Sequence, residues 1–248
     1  MPQAILFDLD DTLISAYSDP QRAWSEVMIE FEDEITTHIQ SNQTPDDAMQ
    51  AIVDYSVEFW SDPDRHAIWR LKMKEARREN VKGGLERLSL DTGKIDIEFA
   101  HRLADRFTEY RTEKMFLFEG AHEVLDTLKA RGIPLGLITN GAADTQRPKI
   151  KRFELEHRFE HIQIEGEMGF GKPEDRAYVH AANALNVTTD NCWIVGDNLE
   201  WEVKAPAKLG FKTIWHDFAN AGVPAGHDAE PHHIITALPQ LLEIIDQQ

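Results

Sequence analysis

Apolar positions along the chain fall into two regimes. Short, largely continuous runs recur at Ala4–Phe7, Leu135–Ile138, Cys192–Val195, Thr213–Trp215 and Ile234–Ile235. Runs of this length without alternation predict strands covered on both faces, the habit of a parallel sheet. Between them the spacing turns helical. Ala121, Val124, Leu125 and Leu128 stand at i, i+3, i+4 and i+7, and Gly132 follows as a stop. Tyr178, Ala181, Ala182 and Leu185 repeat that spacing. Helix and strand alternate through the second half, which predicts an α/β fold with a doubly wound, mainly parallel sheet.

Residues 16–115 follow another pattern. Asp19-Pro20 and Asp62-Pro63 each read as an N-cap followed by proline at the first helical position. Long polar-apolar helical stretches follow them, with no strand signal. The expected organisation is an α/β core formed by 1–15 and 116–248, with an all-helical domain, 16–115, inserted after the first strand. Leu13–Tyr17 and Lys114–Glu119 are the expected hinges. A chain of 248 residues suits one large domain or a core plus an insert.

Charge narrows the partners. There are 26 Lys and Arg against 44 Asp and Glu, a formal net charge of −18. A polyanion is repelled overall, so nucleic acid is not an expected partner. Cys192 is the single cysteine, which excludes an internal disulfide and a cysteine zinc cluster. Met1-Pro2-Gln3-Ala4 carries no basic leader, and no run approaches the roughly 18 apolar residues of a membrane span. The expected location is cytoplasmic, with no membrane association.

The chemistry gathers at strand ends. The first strand runs into Asp8-Leu9-Asp10-Asp11-Thr12. If extended geometry continued, Asp8, Asp10 and Thr12 would share one side and Asp11 the other. Crowded carboxylates favour either a divalent cation or a proton retained on one of them, and hard oxygen donors suit magnesium over zinc. Ile138-Thr139-Asn140-Gly141 ends a strand with groups suited to a phosphate. Gly171-Lys172-Pro173 sets a lysine before a helix, and Val195-Gly196-Asp197-Asn198 brings a second acidic site.

In this order, these four segments resemble the motifs of the haloacid-dehalogenase-like hydrolases: Asp8–Thr12, Thr139, Lys172 and Gly196-Asp197. The resemblance covers residues 3–13 and about 116–236. It implies a Rossmann-like core, a helical cap and magnesium-dependent hydrolysis of a small phosphorylated metabolite. It further implies Asp8 as nucleophile and Asp10 as general acid and base. Thr139 and the Asn140 backbone N–H would hold the phosphoryl oxygens, and Lys172 would neutralise charge. Asp8, the Asp10 carbonyl and Asp197 would hold Mg2+. The acid at Asp10 separates this chain from dehalogenating members, which lack it. Phosphomutase, dehalogenase and a non-catalytic binding module remain the alternatives. Where this subgroup usually carries a second aspartate after Asp197, the chain has Glu202, long enough to reach a metal through water or to orient Lys172. Pro206 predicts a kinked or short helix.

Other residues invite function less strongly. Arg65–Arg87 holds eight Lys/Arg against three Glu, and reads either as a solvated helix face or as a basic lid for an anionic substrate. Trp24, Trp60 and Trp69 fit the core of a helical bundle better than a stacking platform. His232-His233 would point to opposite strand faces and share no ion, while His216-Asp217 lies at a sheet end that could border the site.

Overall fold

The computed structural model describes residues 1–16, 19–88 and 95–247. Its strands, in chain order, are β1 (Ala4–Phe7), β2 (Ile14–Ser15), β3 (Phe116–Leu117), β4 (Leu135–Thr139), β5 (His161–Ile164), β6 (Cys192–Gly196), β7 (Lys212–His216) and β8 (His233–Ile235). Six of them form one sheet in the order β5-β4-β1-β6-β7-β8, with every neighbour parallel. Every residue of β1, β4 and β6 is buried, which is why their sequences are continuous apolar runs.

The edges depart from the expected pattern. β5 gives no apolar run because His161 and Gln163 alternate with Ile162 and Ile164. Gln163 is nonetheless buried, and its Nε2 donates to the Ala177 carbonyl at 2.9 Å. At the other edge β8 leaves Ile234 half-exposed, so this pair of isoleucines is not covered on both faces. The sheet ends there, and no further strand requires a second apolar face.

Connectivity fixes where a site can form. From β1 the main sheet grows through β4 and β5 on one side, then resumes on the other through β6, β7 and β8. The crevice at the carboxyl end of β1 is therefore the topological switch point, where open α/β sheets bind ligands. Helix Ala121–Ala130 buries Ala121, Val124, Leu125 and Leu128. Helix Asp175–Ala184 buries Ala177, Tyr178, Ala181 and Ala182. Both follow the spacing in the sequence, and Gly132 takes the left-handed conformation that ends the first of them.

The chain divides into two compact units, Met1–Ala16 with Phe116–Gln248, and Tyr17–Met115. Within the first, β2 and β3 form an antiparallel ribbon that pairs Ile14 with Leu117 and Ser15 with Phe116. The described residues of the second unit form helices Pro20–Glu30, Glu32–His38, Pro45–Ser61, Pro63–Trp69, Met73–Glu86 and Ile97–Lys114, and no strand. Asp19 and Asp62 cap two of them, each ahead of a proline in the first turn. Trp24 is buried and stacks on Phe107, ring centroids 3.9 Å apart, while Phe59 meets Trp60 and Trp69 edge-on. Much of the basic Arg65–Arg87 segment is spent on neighbours. Arg78 pairs with Asp105 at 2.9 Å, Arg87 with Glu58 at 2.7 Å and Lys82 with Glu79 at 3.5 Å. An ion-paired helix surface describes it better than a basic lid. No helix among the described residues is long and apolar enough to cross a membrane.

Candidate active site

β1 ends at Phe7, but the Asp8 N–H still donates to the Val195 carbonyl at 2.9 Å and so remains fastened to β6. The chain then turns. Asp11 sits at φ +59°, its N–H donates to the Ile14 carbonyl at 2.6 Å, and the N–H groups of Leu13 and Ile14 both reach the Leu9 carbonyl at 3.0 Å. Extended geometry therefore does not continue to Thr12, and the condition for Asp8, Asp10 and Thr12 to share one side is not met. The turn directs the Asp11 carboxylate to the Ala16 N–H at 2.8 Å, and the Thr12 hydroxyl to Asp197 Oδ1 at 3.4 Å.

Lys172 lies buried at the centre of the group, with 1% of its surface exposed. Its ammonium donates to Asp8 Oδ1 at 2.5 Å and meets Glu202 Oε1 at 2.7 Å. Burial opposes its charge, but the two carboxylates outweigh burial and hold its pKa above the usual lysine range. Asp8 is pushed upward by burial, more than Lys172 draws it down. Asn140, just past the end of β4, fastens the backbone of the lysine. Its side-chain Nδ2 donates to the Lys172 carbonyl at 2.6 Å, and its Oδ1 accepts from the Lys172 N–H at 2.8 Å. The next amide, Gly141 N–H, donates to Glu165 at 3.0 Å.

Glu202 uses its additional methylene to span two groups. One oxygen meets Lys172, and the other accepts from the Asn198 N–H at 2.9 Å. Burial pushes its carboxyl up to about 7 against the pull of Lys172. The fit depends on Gly196, where a Cβ would lie 2.0 Å from Glu202 Cγ. Asn198 caps the π-helical turn Leu199–Lys204 by accepting from the N–H groups of Glu200 and Trp201, at 3.0 and 3.1 Å. Pro206 falls in the short helix Ala205–Ala207, which continues directly from that turn, and the Trp201 carbonyl is met by the Tyr178 hydroxyl at 2.5 Å.

Asp10 is held by two residues that sequence reasoning did not single out. Lys149 Nζ lies 2.8 Å from each Asp10 oxygen. Gln146 Nε2 donates to Asp10 Oδ2 at 3.0 Å and to the Thr139 hydroxyl at 2.6 Å. Both belong to helix Ala143–Arg152, and both are buried. The available signal was indirect. This helix has one aliphatic residue larger than alanine, Ile150, so packing it on the core had to bury polar side chains.

Asp197 completes the acidic group. Burial, then Glu202, Asp8 and Asp11, raise its carboxyl well above the ordinary range, against the pull of Lys172. Crowded negative charge of this kind, with oxygen donors only, fits a magnesium ion. The Asp8 and Asp197 carboxylates are suitable donors. Asp10, whose carboxylate is engaged by Lys149, has its backbone carbonyl to offer. Among the described residues, the one His/Cys/Asp/Glu trio with ligand atoms within 4.8 Å is Glu200, His227 and Asp228. Lys204 already neutralises it, at 3.1 Å from Glu200 and 2.7 Å from Asp228.

His216 does border the Asp8–Thr12 segment: buried edge-on against Phe118, it also meets the Thr12 and Asp11 backbone, yet burial outweighs them and pushes it down to about 4, so it is neutral near pH 7. His232 accepts from the Thr213 N–H at 3.1 Å, while His233 stacks on Trp193. Burial pushes the Cys192 thiol up to about 12, which leaves it unreactive.

The haloacid dehalogenase-like hydrolase family model matches residues 2–210. Glyceraldehyde 3-phosphate phosphatase of Pyrococcus furiosus is 31% identical over 160 residues, 62% of this chain and 67% of that protein. N-acylneuraminate-9-phosphatase of Rattus norvegicus is 28% identical over an alignment of 254 residues, covering 98% of this chain and 95% of that one. Among solved structures, the HAD-hydrolase YfnB from Bacillus subtilis, bound to magnesium, matches with a TM-score of 0.69 at 19% identity over 98% of each chain. That likeness is one of fold. With a family model spanning residues 2–210 and relatives named as phosphatases aligned along it, the chain belongs to the haloacid dehalogenase-like hydrolases.

Proposed function

We propose that this hydrolase cleaves a small phosphomonoester through an aspartyl-phosphate on Asp8. The observation that carries the reading is the buried Lys172 ammonium 2.5 Å from the Asp8 carboxylate at the switch point, with Asp10 in the turn after β1 and Thr139 and Asp197 at the ends of β4 and β6. The names of the relatives support phosphate esters as the substrate class.

Asp8 attacks phosphorus as the ester P–O bond breaks, and Asp10 gives its proton to the departing oxygen. The resulting Asp10 carboxylate then takes a proton from water. That water attacks the aspartyl-phosphate, releasing inorganic phosphate and restoring Asp8. The Thr139 hydroxyl and the Asn140 N–H hold the phosphoryl oxygens, and Lys172 offsets charge on Asp8 and the transferred group. Magnesium, when held by Asp8, the Asp10 carbonyl and Asp197, supplies Lewis-acid neutralisation that lets two anions approach. We assign the helical unit, Tyr17–Met115, as the family's cap and the source of substrate selectivity.

The test is phosphate release from glyceraldehyde 3-phosphate, N-acylneuraminate 9-phosphate, sugar phosphates, nucleoside monophosphates and phosphorylated acids, with magnesium or with EDTA. Turnover is expected with magnesium alone, and Asp8→Asn is expected to abolish it. Absence of release from every ester, or release that persists in Asp8→Asn, would overturn the reading.

A further inference from the structure

We propose that Lys149 and Gln146 are positioning residues that aim Asp10 at the ester oxygen, an assignment resting on the phosphatase reading above. Three observations carry it. Lys149 and Gln146 stand three residues apart on helix Ala143–Arg152, so they present one face. They are 9% and 1% exposed, an expensive placement for a lysine and an amide unless each is fully engaged. Both converge on Asp10, Lys149 on its two oxygens at 2.8 Å and Gln146 on Oδ2 at 3.0 Å.

The hydrogen-bond directions give the clasp a function. A carboxylate accepts only, so Gln146 must present its NH2 to Asp10, and the same NH2 donates to Thr139 Oγ1 at 2.6 Å. With Gln146 donating to its oxygen, the Thr139 hydroxyl directs its own hydrogen to the Asn140 carbonyl at 3.4 Å, a long contact that a phosphoryl oxygen can replace. One amide thus locks together the group that orients phosphate and the group that moves the proton.

Leaving-group chemistry separates this role from a structural or purely electrostatic one. A dinitrophenolate leaves without a proton, whereas an alkoxide needs one. The experiment measures kcat/KM for 2,4-dinitrophenyl, phenyl and alkyl phosphates with wild type, Lys149→Met, Lys149→Arg and Gln146→Leu. General acid catalysis supplies about 100-fold or more, so losing its aim is expected to cost Lys149→Met roughly 10- to 100-fold on the alkyl ester and about threefold or less on the dinitrophenyl ester. Gln146→Leu should show the same gradient on top of a uniform loss, because it also releases Thr139, and Lys149→Arg should recover part of the alkyl-ester rate. Gln146→Leu keeps the buried Lys149–Asp10 pair and decides the matter if Lys149→Met does not fold. An equal loss across the series, or none, overturns the proposal. A wild type inactive on every ester would instead overturn the phosphatase reading, and this proposal with it.

Discussion

Lys172 is one charge shared between two buried acids, and its surroundings set the stakes of every neighbouring substitution. Glu202→Ala would leave the ammonium with Asp8 alone and the Asn198 N–H without its acceptor. Because Lys172 keeps Asp8, the cost is that of one partly buried N–H left without its acceptor, about 1–3 kcal/mol, expected as a lowered urea midpoint. His216 makes a prediction about pH. Its folded pKa near 4 lies below the unfolded value near 6.5, so between these the unfolded chain binds more protons and stability falls as pH falls. The wild type should lose about 2 kcal/mol more than His216→Gln between pH 7 and pH 5, measured by denaturant midpoints. Equal losses in the two proteins would place the pH sensitivity elsewhere.

At the level of elements, a strand and the turn that follows it are matched through a missing side chain. Gly196 ends β6, and the space a methyl would fill holds the stem of Glu202. Gly196→Ala is expected to displace Glu202 and lower stability by about 1–3 kcal/mol, readable as a lowered urea midpoint with an unchanged slope. Elements also show what was legible in the sequence. β1, β4 and β6 announced themselves because burial on both faces demands unbroken apolar runs, and their ends carried Asp8, Thr139 and Asp197 into view. β5 escaped because an edge strand tolerates His161 and Gln163. Lys149 and Gln146 escaped because lysine and glutamine on a helix ordinarily face water, and only the scarcity of aliphatic residues around them hinted otherwise. The sequence left open where extended geometry stops after Leu9, because aspartate is enriched in the left-handed conformation that Asp11 takes but adopts it in only a minority of cases.

At the scale of the molecule, the two units have separate cores. The helical unit packs Trp24, Ile52, Phe99 and Phe107 into its own cluster, while Leu6, Ile138, Tyr178 and Ile194 pack together in the sheet unit. Separate cores predict separate folding competence. Ser15 and Phe116 lie directly opposite in the β2–β3 ribbon, so an Asn-Gly turn in place of residues 16–115 should close it as a hairpin. The shortened chain is expected to unfold in one cooperative transition by circular dichroism, with a smaller denaturant slope in keeping with its smaller buried surface. A gradual, non-cooperative loss of signal would show that the sheet unit needs the helical one.

The same ribbon has a consequence for descent. Two residue pairs set the crossing, so the length and content of the excursion between them are nearly decoupled from the sheet. Doubling such an excursion costs only about 0.6 kcal/mol in closure entropy. The ribbon is a splice point: a lineage can exchange what lies beyond Ser15 and Phe116 while the catalytic register, fixed at Ile14 and Leu117, is inherited unchanged.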